Sequence, residues 1–211
     1  NNGTNTIDAG AGADTIRLNN GTNWVLAGSG ADNISASGGT HVIDAGVGND
    51  TVQLYNGTNS VQGGVGADTI TAWLGLNTID AGNDADVINL MGGDNTVTGG
   101  SGTDSITASG GKNLIHAGDD NDTIRLNNGT NALVAGSGAD TITAASGTNT
   151  IDAGDGSDTI TLTGGDNTVV ASLGNDTITA SGGTNTIATD AGDNTVVLSG
   201  GNNNLKASTG A

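Results

Sequence analysis

The chain has 211 residues and a formal net charge of −18, with 39 glycines, no proline, cysteine or phenylalanine, and aspartate as its only acid. So acidic a chain is a poor partner for nucleic acid or anionic membrane and a good one for cations. Three aromatic residues exclude a bulky globular core, the lack of cysteine excludes a disulfide scaffold, and no apolar run approaches the ~18 residues of a membrane helix.

From the N-terminus the chain alternates glycine-rich loops with short strands. Gly10-Ala11-Gly12-Ala13-Asp14 reads as a loop and Thr15-Ile16-Arg17-Leu18 as a strand. Asn19-Asn20-Gly21-Thr22-Asn23 is a second loop and Trp24-Val25-Leu26-Ala27 a second strand. Steps of eighteen from Asp14 land on Asp32, Asp50, Asp68, Asp86, Asp104, Asp122, Asp140, Asp158 and Asp176, then on Asn194. The midpoints land on Asn5, Asn23, His41, Asn59 and then asparagine at every step to Asn203. The period is therefore nine, paired into eighteen, and no insertion breaks it. Such a chain is one continuous repeat domain over residues 1–211. It starts inside a repeat and reads as a piece of a longer mature chain with its flanks missing.

Side chains alternate between the faces of a strand, so Ile16 and Leu18 share one face, as do Val25 and Ala27. Two residues after every loop Asp, Asn or His stands Ile, Val or Leu, from Ile7 to Leu205. The next inward position after each Asp alternates large and small: Leu18, Ala36, Leu54, Ala72, Leu90, Ala108 and onward to Leu198. This is either interdigitated packing or the trace of duplication in blocks of 36. A strand every nine residues leaves no room for crossover helices. The predicted fold class is all-β: a right-handed parallel β-roll, or β-solenoid, with eighteen residues per coil. Eleven to twelve coils at ~4.8 Å each give a rod roughly 55 Å long. Open sheet edges at its ends invite end-to-end association.

The two edges of this rod differ. One stacks ten aspartates at about one strand spacing, where like charges repel strongly unless something neutralises them. With four basic residues in the chain, that role falls to a bound cation. Carboxylates plus loop carbonyls turned inward at glycine are hard oxygen ligands, which suit calcium. The candidate metal residues are Asp14, Asp32, Asp50, Asp68, Asp86, Asp104, Asp122, Asp140, Asp158 and Asp176. Asp84, Asp119, Asp120 and Asp155 would strengthen attraction locally. Ten stacked aspartates leave nine gaps, and nine divalent ions would balance the formal charge of −18. The bland alternative is that each Asp only shapes its own turn. That leaves unexplained why one edge keeps Asp and the other Asn. Stacked asparagines need no ion and can hydrogen-bond from coil to coil as a ladder.

The unit Gly63-Gly64-Val65-Gly66-Ala67-Asp68-Thr69-Ile70-Thr71 resembles the hemolysin-type calcium-binding repeat of RTX proteins, as does Gly99-Gly100-Ser101-Gly102-Thr103-Asp104-Ser105-Ile106-Thr107. Elsewhere the first glycine becomes alanine, as at Ala27, Ala45 and Ala135, and Asn83-Asp84, Asp119-Asp120 and Ser172-Leu173 depart further. The resemblance implies a parallel β-roll holding calcium between coils, secretion from a bacterium, and folding on meeting extracellular calcium. It does not extend to the asparagine edge.

Other features carry weaker signals. Thr-Ile-Thr recurs at 69–71, 141–143, 159–161 and 177–179, which suits either an ice-binding surface or ordinary exposed strand positions. Arg17, Gln53, Asn89 and Arg125 interrupt these ranks. On the second face Asp8, Asp44, Asp80 and Asp152 recur on alternate coils, and Trp24, Leu26, Val42, Leu114, Val134 and Val170 point outward as a potential lateral contact. Tyr55 and Trp73 sit on asparagine-edge loops, open to sugar stacking or to plain loop packing. His41 and His116 are isolated. No catalytic cluster stands out, so an enzyme is not expected. The expectation is an extracellular, bacterial-surface or matrix module, with calcium as its cofactor: a rigid spacer, adhesin or fibre segment. Self-association, a polysaccharide or an ice surface are the further partners in view. The alternatives are an ice-binding solenoid and a metal-independent fibre subunit.

Overall fold

The computed structural model describes residues 3–207. Every strand pairs in parallel with the strand one coil on, at an offset of eighteen: Ile16 faces Ile34, Val25 faces Ile43, and Ile151 faces Val169. Two sheet faces result. The first is built of strands such as Thr15–Leu18, Thr69–Ala72 and Thr141–Ala144. The second is built of Thr22–Ser29, Leu76–Asn83 and Thr130–Ser137. No helix interrupts them among the described residues. The architecture is the expected parallel β-solenoid of eighteen residues per coil, with about eleven coils at ~4.8 Å spacing.

The core is a thin slab. Ile34, Ile70, Ile106, Ile142 and Ile178 are fully buried. The alternating Leu54, Ala72, Leu90, Ala108, Leu126 and Ala144 are buried as completely. From Leu18 to Ala180 large and small residues thus succeed one another along the rod without leaving either exposed, which suits interdigitated packing and duplication in blocks of 36 alike. Each buried Ile or Leu contributes roughly 1.5–3 kcal/mol, which only stacking makes available.

The second-face strands are longer than the sequence predicts. They begin at Thr22 rather than Trp24 and run on to Ser29, because the column asparagine itself lies extended with its side chain inward. Two strands, Asn33–Val47 and Thr51–Val65, pass through the asparagine-edge turn without a break. Their register slips by one at Ser37, which faces Asn56, and recovers at Thr40.

On the aspartate edge the glycines do more than turn the chain. Gly66 has φ +123°, and a Cβ there would stand 2.2 Å from the carbonyl oxygen of Gly48 on the coil before. Gly66→Ala should therefore cost roughly 2–4 kcal/mol through both strain and clash, read as a lowered urea midpoint at unchanged slope.

Candidate metal-binding edge

The aspartates expected to form a column do so, and they point inward. Asp32 through Asp176 are at most 2% exposed, and Asp14 is half-buried. A carboxylate has no proton to give its neighbour, so the column is tied through the backbone. The Asp14 N–H donates to Asp32 Oδ1 at 2.7 Å, Asp68 N–H to Asp86 Oδ1 at 2.7 Å, and Asp158 N–H to Asp176 Oδ1 at 2.9 Å. Nine such links join the ten residues. A tenth runs from Asp176 N–H to Oδ1 of Asn194 at 2.8 Å. This bond satisfies one oxygen only. The Oδ2 atoms of all ten aspartates are buried with no hydrogen-bond partner.

Buried, unpartnered and stacked, these carboxylates resist ionisation. Burial, the largest cause, raises Asp86, Asp122 and Asp158 to about 7, against the hydrogen bond from the preceding coil and with the help of neighbouring column charges. Asp68 and Asp104 are raised to about 6 for the same leading reason. Asp50, Asp140 and Asp176 also move upward. Asp84 adds repulsion at Asp68 and Asp86, and Asp120 at Asp104 and Asp122. Both occupy positions where other coils have glycine, and both hold φ at 75°.

The donor set fits a hard cation. Each coil offers one inward carboxylate oxygen with its lone pairs free. Glycine at the turn lets backbone carbonyls line the same edge, as where the Gly48 oxygen abuts Gly66. No three acidic or histidine side chains converge on one point among the described residues. A metal held here would therefore take carboxylates from successive coils and complete its shell with carbonyls.

Comparison with known families decides the kinship. The model of the RTX calcium-binding nonapeptide repeat (4 copies) matches residues 1–34, 18–52, 55–88, 90–124, 126–160 and 161–196. The chain belongs to this RTX repeat family. No curated protein matches the chain. Among solved structures, the RTX chain is similar to a hyperactive, Ca2+-dependent, β-helical antifreeze protein from an Antarctic bacterium. The TM-score is 0.65 at 20% identity, over 92% of this chain and 79% of that one, which shows a shared fold.

The opposite edge of this RTX solenoid is the expected amide ladder. Asn77 Nδ2 donates to Asn95 Oδ1 at 2.8 Å, Asn95 to Asn113 at 2.7 Å, and the ladder continues to Asn203. The second amide hydrogen goes to the carbonyl three residues back, as from Asn113 to Gly110 at 3.0 Å. An amide both gives and takes, so the predicted ladder closes on itself.

One break was not legible beforehand. His41 is buried in the ladder, accepting at Nδ1 from Asn23 Nδ2 at 3.0 Å while its Nε2–H is turned to the Gly38 carbonyl. It has no donor left for the next coil, and Asn59 Oδ1 is buried without a partner. The signal was present as the one non-asparagine in the column. Its consequence depends on which ring nitrogen faces which neighbour. His41→Asn should restore the missing donor and raise stability by about 1–3 kcal/mol, measured by urea unfolding.

The remaining candidates do not join the column. Trp24, Leu26, Val42 and Leu114 are exposed on the second face, as expected, whereas Val134 and Val170 there are half-buried. Asp152 accepts from the Ser172 hydroxyl at 2.8 Å. Tyr55 and Trp73 stack on each other, ring centroids 4.7 Å apart and planes 6° from parallel.

Proposed function

We propose that this chain is a calcium-binding structural module of an extracellular bacterial protein, a rigid rod that folds as calcium fills its aspartate edge. The observation that carries this reading is the row of ten inward Oδ2 atoms, each buried without a partner. A cation between coils would supply the missing charge and let the carboxylates ionise at neutral pH. The unfolded chain, acidic and rich in glycine, stays expanded, so binding free energy becomes folding free energy. A calcium trigger of this kind suits secretion followed by folding outside the cell, where the rod serves as spacer, adhesin segment or matrix fibre. Catalysis forms no part of this reading.

Circular dichroism tests it: calcium titrated into chelator-treated protein at low concentration should convert a coil spectrum to β. A full β spectrum in chelator, unchanged by calcium, would reject the proposal. Replacing Asp68 and Asp86 together by alanine should lower the calcium stoichiometry measured by titration calorimetry.

A second reading has its own observation. Thr141, Thr159 and Thr177 stack in register, as do Thr143, Thr161 and Thr179 beside them, giving two ranks on a flat face. The antifreeze activity named for the structural neighbour makes ice a reasonable ligand for such ranks. Thermal hysteresis that disappears in Thr159→Leu would favour it. An unchanged freezing point in the calcium-loaded parent would dismiss it.

A further inference from the structure

A groove of about 400 Å³ crosses the second face beside the asparagine edge. Its apolar lining is Leu76, Leu114 and Ala132, and its polar lining includes Asp94, Thr96 and Lys112. Leu76 is 56% exposed and Leu114 43%. The groove spans four successive coils, so three intervals of ~4.8 Å give it a length of roughly 14 Å. It is an open trough, suited to a chain lying across the coils more than to an enclosed small molecule.

The charges narrow the occupant. Asp94 and Lys112 face each other in register on adjacent strands, yet neither side chain has a hydrogen-bond or ion-pair partner among the described residues. A cationic ligand would meet Lys112, and an anionic one would meet Asp94 and a chain of net charge −18. A hydroxyl serves both groups, donating to the carboxylate and accepting from the ammonium, and Thr96 can do either. The leucines and Ala132 meanwhile offer a surface for C–H groups. Hydroxyls around the rim of a ring with apolar faces describe a pyranose. We propose that this groove binds a neutral hexopyranose polymer laid along the rod. Three residues before Leu76 stands Trp73, stacked on Tyr55 of the preceding coil.

This inference rests on the structural reading above only in needing the folded rod, so dichroism in calcium is measured first on every sample. Cellohexaose and mannohexaose are the probes, with an alginate oligomer as the anionic control, read by saturation-transfer NMR and titration calorimetry. At least one neutral oligomer should bind, and the anionic one should not. Ala132→Arg, which fills the groove, and Asp94→Asn with Lys112→Gln, which removes both charges, should each weaken binding at least about tenfold. Asn89→Arg on the other face should leave it unchanged. A folded rod that binds neither neutral oligomer overturns the proposal, as does undiminished binding by Ala132→Arg. Sedimentation that shows a dimer broken by Ala132→Arg overturns it too, assigning the groove to a second copy of the chain.

Discussion

In chelator, this protein should become more stable as the solution is acidified from pH 8 to pH 5, the reverse of ordinary carboxylate behaviour. An aspartate held below its usual pKa in the fold adds stability that acid removes. Here the folded values lie above the unfolded one, at about 6 for Asp68 and Asp104 and about 7 for Asp86, Asp122 and Asp158. Between pH 4 and 7 the folded state therefore binds more protons than the unfolded chain. By linkage its relative stability is fully present below the unfolded pKa, near 4, and is lost as pH rises through 6 to 7. A group raised to about 6 gives up about one unit of that linkage between pH 5 and pH 8, ~1.4 kcal/mol, so Asp68 and Asp104 alone account for roughly 3 kcal/mol. The parent, a coil in chelator at pH 8, should therefore shift toward β by at least that much folding free energy on acidification to pH 5. Saturating calcium should flatten that dependence, because the ion replaces the proton as the partner of Oδ2. Dichroism at both pH values, with chelator and with calcium, checks both halves. A β signal in chelator that grows toward pH 8 would show that the column carboxylates are ionised and satisfied without a metal.

Replacing all ten column aspartates by asparagine should give a rod that folds in chelator and ignores calcium. The molecule contains the precedent twice. Asn194 already ends the column and takes the Asp176 N–H through Oδ1 at 2.8 Å, as an aspartate would. The opposite edge stacks asparagines on every coil but that of His41, and from Asn59 to Asn185 each amide gives one hydrogen to the next coil and one to its own turn. The substitution keeps the backbone bond, exchanges an orphaned oxygen for a donor beside loop carbonyls, and removes ten negative charges, leaving −8 of the original −18. The expected result is a β spectrum in chelator and no heat on calcium addition, against a coil-to-β transition for the parent. A variant that still needs calcium to fold would mean that the ion organises the glycine loops and does not simply neutralise them. Intermediate variants should lose calcium sites in proportion to the aspartates replaced, since each coil contacts only its neighbours.

Much of this molecule was readable from the amino-acid order because its long-range contacts recur at one offset. Once Asp14, Asp32 and Asp50 are seen eighteen apart, the partners of Ile16 and Val25 follow. So do the burial of the Leu18–Ala36 alternation, the two chemically distinct edges and the asparagine ladder. Residue types also determined the kind of chemistry: a stack of carboxylates in a chain with four basic residues calls for a cation.

What the tertiary structure alone decided is how individual polar atoms are spent. The aspartates are loop residues, each one position before its strand, yet they turn inward and tie Oδ1 to the preceding coil, leaving Oδ2 as the free oxygen. His41 marked an irregularity, but the unpartnered Asn59 Oδ1 emerges only from the ring's two hydrogen bonds. The Tyr55–Trp73 stack and the trough between Asp94 and Lys112 likewise depend on side-chain orientations on neighbouring coils. A repeat fixes which residues are neighbours, since backbone pairing propagates one register along the rod. Side-chain torsions, and with them the bonded and unbonded atoms, are set by local packing that the period does not encode.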